Sequence, residues 1–390
     1  MRVGEMRMPA RALSERDRTL PLRVAPIPGE ALDSWLEAIA CRYQLPIGDV
    51  MTRCGIGPNE RTTARLVSPT RDERRQISTV CGIGGDEIRS MTMDHFDRQP
   101  VDGDRRPTFL WVRHVGSRFC PHCLREGGGR WLLAWRLNWS FACLTHQCLL
   151  ADSCSECASM QRRQPLCSSR IPRPSRCPSA SERGRTRGAD QCGADLGAAD
   201  VLQLPQAHPA LTAQATIQAL LDGTRTELAI YGCVAPTCSS MLGDLRVLAQ
   251  WVIYAVNQAQ LDGHLPTDLS SAVALHRQST SWPYGRHWRG ARTVPSGLDT
   301  AAGVSLALGV ISLPNTDTTV STLRQLMHDA HNGGPYQTPM SRRAALSPAL
   351  TSVLEAAIVA HVADRKLRSR VARKLASLSS VPAGSTPLPR

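Results

Sequence analysis

The stretch Phe119–Ser159, FCPHCLREGGGRWLLAWRLNWSFACLTHQCLLADSCSECAS, decides how the middle of this chain folds. Two Cys-x-x-Cys knuckles, Cys120/Cys123 and Cys154/Cys157, stand 30 residues apart, with Cys143 and His146 between them. Two residues between paired cysteines let a tight turn aim both sulfurs at one ion. Cys120, Cys123, Cys143 and His146 make a complete tetrahedral set, with 19 residues between the pairs. Four protein ligands leave no coordination position for water or substrate, which points to structural zinc and away from zinc hydrolysis. The chain has no H-E-x-x-H, no deaminase-type H-x-E ahead of P-C-x-x-C, and no G-x-x-x-x-G-K-[ST] loop, so nothing marks it as an enzyme or an ATPase.

Outward from that stretch, Trp131, Trp135 and Trp139 recur every fourth residue, which predicts one face of a helical segment. The three rings either pack the body of a small metal module or stack on nucleic-acid bases. Residues 107–115 (PTFLWVRHV) predict a strand leading into the first knuckle. Upstream, Leu32, Trp35, Leu36 and Ile39 trace an amphipathic helix ending near Tyr43, and a shorter helix carries Val50 and Met51. A second pair follows: one helix from about Arg71 with Ile77 and Val80, a turn at Gly82–Gly85, and another helix from Asp86. Each unit is helix, short turn, helix, the arrangement of DNA-reading modules and equally of ordinary helical hairpins.

Downstream, residues 160–200 are rich in Arg, Ser, Pro and Gly. Helices are predicted over 209–222, 239–258, 296–311, 319–330 and 346–374, with 239–258 apolar nearly all round and therefore central. Residues 262–295 are predicted as a long loop in which Trp282, Tyr284, His287 and Trp288 interleave with Arg286, Arg289 and Arg292. The expected fold is mainly α: a disordered leader (1–19), a helix-turn-helix-like domain (20–105), a double zinc-finger module with short β strands (106–200), a C-terminal helical domain (201–378) and a disordered tail (379–390).

The 390 residues carry a net charge of +13, almost all of it arginine, with Lys366 and Lys374 the only lysines. An excess of that size favours a polyanionic partner. From 162 to 187 eight arginines face one acid, Glu182, and from 365 to 374 six basic residues face none. Both clusters are either solvated surface or DNA contacts; the candidates are Arg162, Arg163, Arg173, Arg176, Arg185, Arg187, Arg365, Lys366, Arg368, Arg370, Arg373 and Lys374. There is no run of 18 apolar residues and no signal-peptide core at the start, so the expected place is the cytoplasm, at the nucleoid, where the 14 cysteines serve as ligands or buried thiols.

The chain resembles the TniQ family of transposon target-selection proteins, which includes the TnsD type. The resemblance starts at LPLRVAPIPGEALDSWLEAIACRYQL (20–45), continues through DEIRSMTM, and is sharpest across the tryptophans and the Cys143-x-x-His146 followed by Leu149 and Leu150. It covers about residues 20–200. It implies two structural zinc ions, the second held by Cys154, Cys157, Cys192 and either Cys177 or Cys167, with Cys177, which is followed by proline, favoured. Leu144 and Gln147 stand where the family often has proline and glycine, and Cys148 is a spare thiol beside the first metal. The resemblance further implies a non-catalytic transposition protein that binds double-stranded DNA directly or docks on a CRISPR effector complex. It would recruit a TnsC/TniB-like AAA+ ATPase, and homodimers are common in the family. The competing expectation is a zinc-stabilised DNA-binding transcription regulator.

Overall fold

The computed structural model describes residues 20, 22–57, 66–96, 110–113, 116–163, 169–179, 191–232, 236–279, 295–329 and 346–379; the side chains of 328–329 and 364–379 lie outside that description. The chain divides into two compact units, Met1–Gln206 and Ala207–Arg390. The second is mainly helical, the first combines short helices with turns and irregular backbone, and the one described sheet has two strands.

The first unit opens with two helix pairs. α1 (Leu32–Tyr43) and α2 (Ile47–Arg53) are followed by α3 (Arg71–Cys81) and α4 (Gly85–Ser90). α3 starts in a capping box: the Thr70 hydroxyl accepts from Glu73 N, and the Glu73 carboxylate accepts from Thr70 N at 2.7 Å. It ends at Gly82, whose φ of 66° is the left-handed conformation that lets the chain turn into α4. Leu32, Trp35, Leu36, Ile39, Ile47, Val50, Ile77 and Ile88 close a common core. The Trp35 indole, fully buried, donates to Val24 O at 2.8 Å.

The cysteine-rich part belongs to the same unit. Ala31 N donates to Trp131 O at 2.9 Å and Leu133 N to Gly29 O at 2.8 Å, while Arg130 clamps both carboxylate oxygens of Glu30. α5 (Pro121–Glu126) follows the first knuckle, and β1 (Ala142–Cys143) pairs antiparallel with β2 (Cys148–Leu149).

Two local expectations fail here for one reason. Residues 131–139 are not a helix; they hold only a 3₁₀ turn, Leu133–Arg136. Their backbone groups bond sideways instead of along a helix: Arg118 N to Trp135 O, Arg113 N to Arg136 O and Asn138 N to Trp111 O. Residues 107–115 form no strand among those described: Val112 makes a single bridge to Leu137, and Trp111 has a φ of 43°. The tryptophans are packed rather than displayed, with Trp131 against Phe119 and Trp135, and Trp139 against Trp111.

The second unit is a helical assembly: α6 (Pro209–Leu221), α7 (Cys238–Ala255), α8 (Gln258–His264), α9 (Thr267–Ser279), α10 (Gly297–Ile311), α11 (Thr316–Asp329) and α12 (Pro348–Ser379). α7 is central as expected, burying Leu242, Leu245, Leu248, Trp251 and Ile253. α10 lies close against it: a Cβ on Gly303 would sit 2.6 Å from Ile253 and 2.9 Å from Ala249 O. The long loop expected over 262–295 is corrected by α9. Leu269 and Val273 put a buried stripe on it, and Arg277 donates from Nε to the fully buried Asp299 carboxylate at 2.9 Å. The aromatic–arginine cluster at 282–292 lies outside the described residues.

Candidate metal centres

The first cysteine set is built by three local devices. Cys120 is the residue before α5, with Pro121 at the first helical position, and its sulfur accepts from Cys123 N at 3.5 Å. Cys143 ends β1, and the turn to Cys148 passes through Gln147 at φ 48°. That turn brings His146 back over the knuckle. Its Nδ1 lies 3.2 Å from Cys123 Sγ and 3.5 Å from both Cys120 Sγ and Cys143 Sγ; Cys123 and Cys143 are 3.6 Å apart. All four donor atoms lie within 4.8 Å of one another, so the set can hold a metal ion. A tetrahedron of bonds near 2.3 Å to sulfur and 2.0 Å to nitrogen has edges of about 3.5–3.8 Å, so the donor geometry fits a four-coordinate ion.

The imidazole is fixed from behind. His146 Nε2 lies 2.9 Å from Glu126 Oε2 at the end of α5, leaving Nδ1 to face the thiols. A carboxylate on the far nitrogen sets the tautomer and raises the basicity of a ligating histidine. Cys148 Sγ lies 3.8 Å from Cys120 Sγ, a fourth sulfur at the edge of the set.

The second set joins Cys154, Cys157, Cys177 and Cys192, again within 4.8 Å of one another and able to hold a metal ion. Cys154 and Cys192 are 3.9 Å apart, Cys157 and Cys177 3.6 Å. Fourteen residues separate Cys177 from Cys192, but backbone pairing closes the gap: Cys177 N to Ala194 O, Gly193 N to Cys177 O and Cys192 N to Ser179 O. Cys167, the rival ligand, lies outside the described residues. Gln161 Nε2 donates to Cys177 Sγ at 3.4 Å.

Two ionic features frame these centres, and sequence reasoning missed both. Arg118, fully buried, donates from Nη1 to Asn138 O and Ser140 O and from Nε to Asp152 Oδ1. It therefore pins the approach to the first knuckle against the segment that leads into the second. The other feature joins α1 to the second centre. Asp33 is engaged by Arg136 and Arg162, and Arg162 also donates to Glu37 at 2.7 Å while its guanidinium lies over Trp131, 4.5 Å from the ring centroid. Burial pushes the Asp33 carboxyl up, but Arg136 and Arg162 outweigh it and hold the group at about 2. For Glu37 burial wins over Arg162, and the carboxyl rises to about 7.

The basic candidates therefore separate. Arg162 is removed from the DNA-contacting set, because its charge is matched inside the fold by Asp33 and Glu37. Arg163 and Arg173 are exposed; Arg176 is half-exposed and stands 3.6 Å from Asp195. Arg185 and Arg187 lie outside the described residues, and the basic run 365–374 lies on α12 where side chains are not described.

Residues 21–150 match the family model TniQ. The matched segment holds all four donors of the first set and stops before Cys154. No curated protein matches the chain. Among the described residues no helix is long and apolar enough to cross a membrane.

Proposed function

Taking the chain as a member of the TniQ family through residues 21–150, we propose that it is a non-catalytic transposition accessory protein, held in shape by two structural zinc ions, that selects target DNA and recruits an AAA+ ATPase. The observation that carries this is the coincidence of the matched segment with a complete, closed Cys₃His set. Cysteine-rich tetrahedral sets suit zinc. With four protein donors, an ion there stabilises a fold and offers no open position for chemistry.

On this reading Arg163, Arg173, Arg176 and the basic run 365–374 neutralise phosphates, with Arg185 and Arg187 as further candidates from the sequence. Binding of that kind falls steeply with salt. The first helix pair is a weaker candidate for groove reading than its sequence suggests, since α1 turns Asp33 and Glu37 onto the cysteine-rich part. Target choice runs either through direct duplex contact or through an RNA-guided effector.

The test is reconstitution of the zinc-loaded chain with duplex DNA and an AAA+ ATPase of the transposition type. Co-sedimentation of the ATPase, and a salt slope of DNA binding that is reduced by Arg163→Ala with Arg173→Ala, support the reading. Tight sequence-specific DNA binding with no engagement of the ATPase would favour a zinc-stabilised transcription regulator instead.

A further inference from the structure

A cavity of about 700 Å³ opens in the first unit between α1, α2 and the segments 158–163 and 170–179. Its volume lies within the range of about 300–1,000 Å³ typical of sites that enclose a ligand. Neither metal set accounts for it: none of the eight cluster residues lines it.

Three properties of the wall restrict what fits. The first is charge. Six arginines (136, 162, 163, 170, 173 and 176) line the cavity against two carboxylates, and those two, Asp33 and Glu37, are engaged by Arg136 and Arg162. The more exposed Arg163, Arg173 and Arg176 leave the mouth positive; the Arg176–Asp195 pair at 3.6 Å is too exposed to cancel much of it.

The second is apolar surface. Leu66, Met160 and Ile171 stand on the wall, and Ile171 keeps 42% of its surface exposed, one of few large apolar side chains left so. The third is hydrogen-bonding capacity. Glu37 Oε1 and Gln161 Oε1 are buried acceptors with no partner among the described residues, and Arg162 Nε is a buried donor in the same state. Under-served buried acceptors call for an N–H donor. The rise of the Glu37 carboxyl to about 7 agrees with that shortage.

A duplex would meet the arginines but leave the apolar wall uncovered, and a phosphate backbone brings no donor for the two acceptors. An extended acidic polypeptide brings carboxylates, an apolar side chain and amide donors together. We propose that this cavity is a docking site for an acidic peptide segment of a partner protein, with one bulky apolar side chain against Leu66, Met160 and Ile171 and flanking carboxylates on Arg163, Arg170 and Arg173. The assignment does not depend on a role in transposition.

The experiment is fluorescence anisotropy of the full, metal-loaded chain with fluorescein-labelled peptides in which a single Phe or Leu is flanked on both sides by Glu. Control peptides replace the Glu residues by Lys or the apolar residue by Gly. Saturable binding of the acidic, apolar-bearing peptides alone is expected, weakened about tenfold by Ile171→Ser, as for loss of one apolar contact. Arg170→Glu with Arg173→Glu should abolish it. Ile171→Ser should leave the salt slope of DNA binding unchanged, which separates the apolar part of this site from the phosphate contacts proposed above, in which Arg163 and Arg173 also take part. No binding, equal binding of the Gly peptide, or binding that is indifferent to Ile171→Ser and displaced by a short duplex would overturn the proposal; the last result would make the surface a nucleic-acid site.

Discussion

The two units solve the same problem with different materials. The second buries long helices against one another: α7 and α10 approach closely at Gly303, and Trp251, Leu245 and Val304 are fully enclosed. The cysteine-rich part of the first has a two-residue hairpin, one helix of six residues and 3₁₀ turns. Its order comes from point fasteners: two four-donor sets, the Arg118 hub and the Arg162–Asp33–Glu37 cluster. A helical core distributes its stability over many small contacts, whereas a fastened module concentrates it in few groups. The comparison predicts that the first part fails abruptly when one fastener is removed and the second fails by degrees.

The sharpest way to break that contrast is to remove a metal ligand. Cys120→Ser should drop metal content from about two ions to about one per chain and expose the first unit to limited proteolysis, while the helical signal of the second unit persists. Apparent binding free energies of structural zinc are on the order of 10 kcal/mol, so no other single substitution should destabilise the chain as much. A variant that keeps two ions and resists protease would refute the ligand assignment. In the second unit, Trp251→Ala should cost about 3–5 kcal/mol by chemical denaturation without loss of metal. Metal release by that variant would show that the units are not independent in stability.

Smaller effects sharpen the picture. Glu126→Gln should weaken the first metal centre by about 10–100-fold in a chelator competition, with the fold retained, because it loosens the orientation of His146. Unchanged affinity would mean that the 2.9 Å contact is incidental. Glu37→Gln should act through pH. Its folded pKa of about 7 exceeds the unfolded value, so the charged carboxyl penalises the fold at high pH, and the penalty fades as pH falls through 7 towards 4.5. The variant should therefore melt higher than the parent at pH 8, by roughly 1–2 kcal/mol, with the gap closing at pH 5. Asp33 has the opposite sign: its folded pKa of about 2 gives stability that is present above pH 4 and lost towards pH 2. A Glu37→Gln variant that melts lower than the parent at pH 8 would show that the Arg162 pairing outweighs burial at Glu37.

Much of this was legible from residue order. Cys-x-x-Cys spacing is a local property, and so are the 3.6-residue period that marked α1 and the continuous apolar run that marked α7, because all depend on neighbours a few positions away. What misled was also local. The four-residue spacing of Trp131, Trp135 and Trp139 imitates a helix face, yet residues near 29–31 and 111–118 take those backbone bonds. Arg162 sits in an arginine-rich run that reads as surface, but Asp33 and Glu37, more than 120 positions earlier, draw it inside. α9 was hidden because its stripe of Leu269 and Val273 is short and begins directly after Pro266.

By itself the amino-acid order determined which residues are chemically fit to hold metal, where most of the helices of both halves run, and that the chain is strongly basic, since each follows from residue type and near spacing. Only the tertiary structure brought Cys177 and Cys192 beside Cys154 and Cys157, turned Arg162 inward, and formed a positively rimmed cavity beside α1. Those outcomes depend on contacts between positions far apart in sequence, which burial and backbone pairing select and local pattern does not encode.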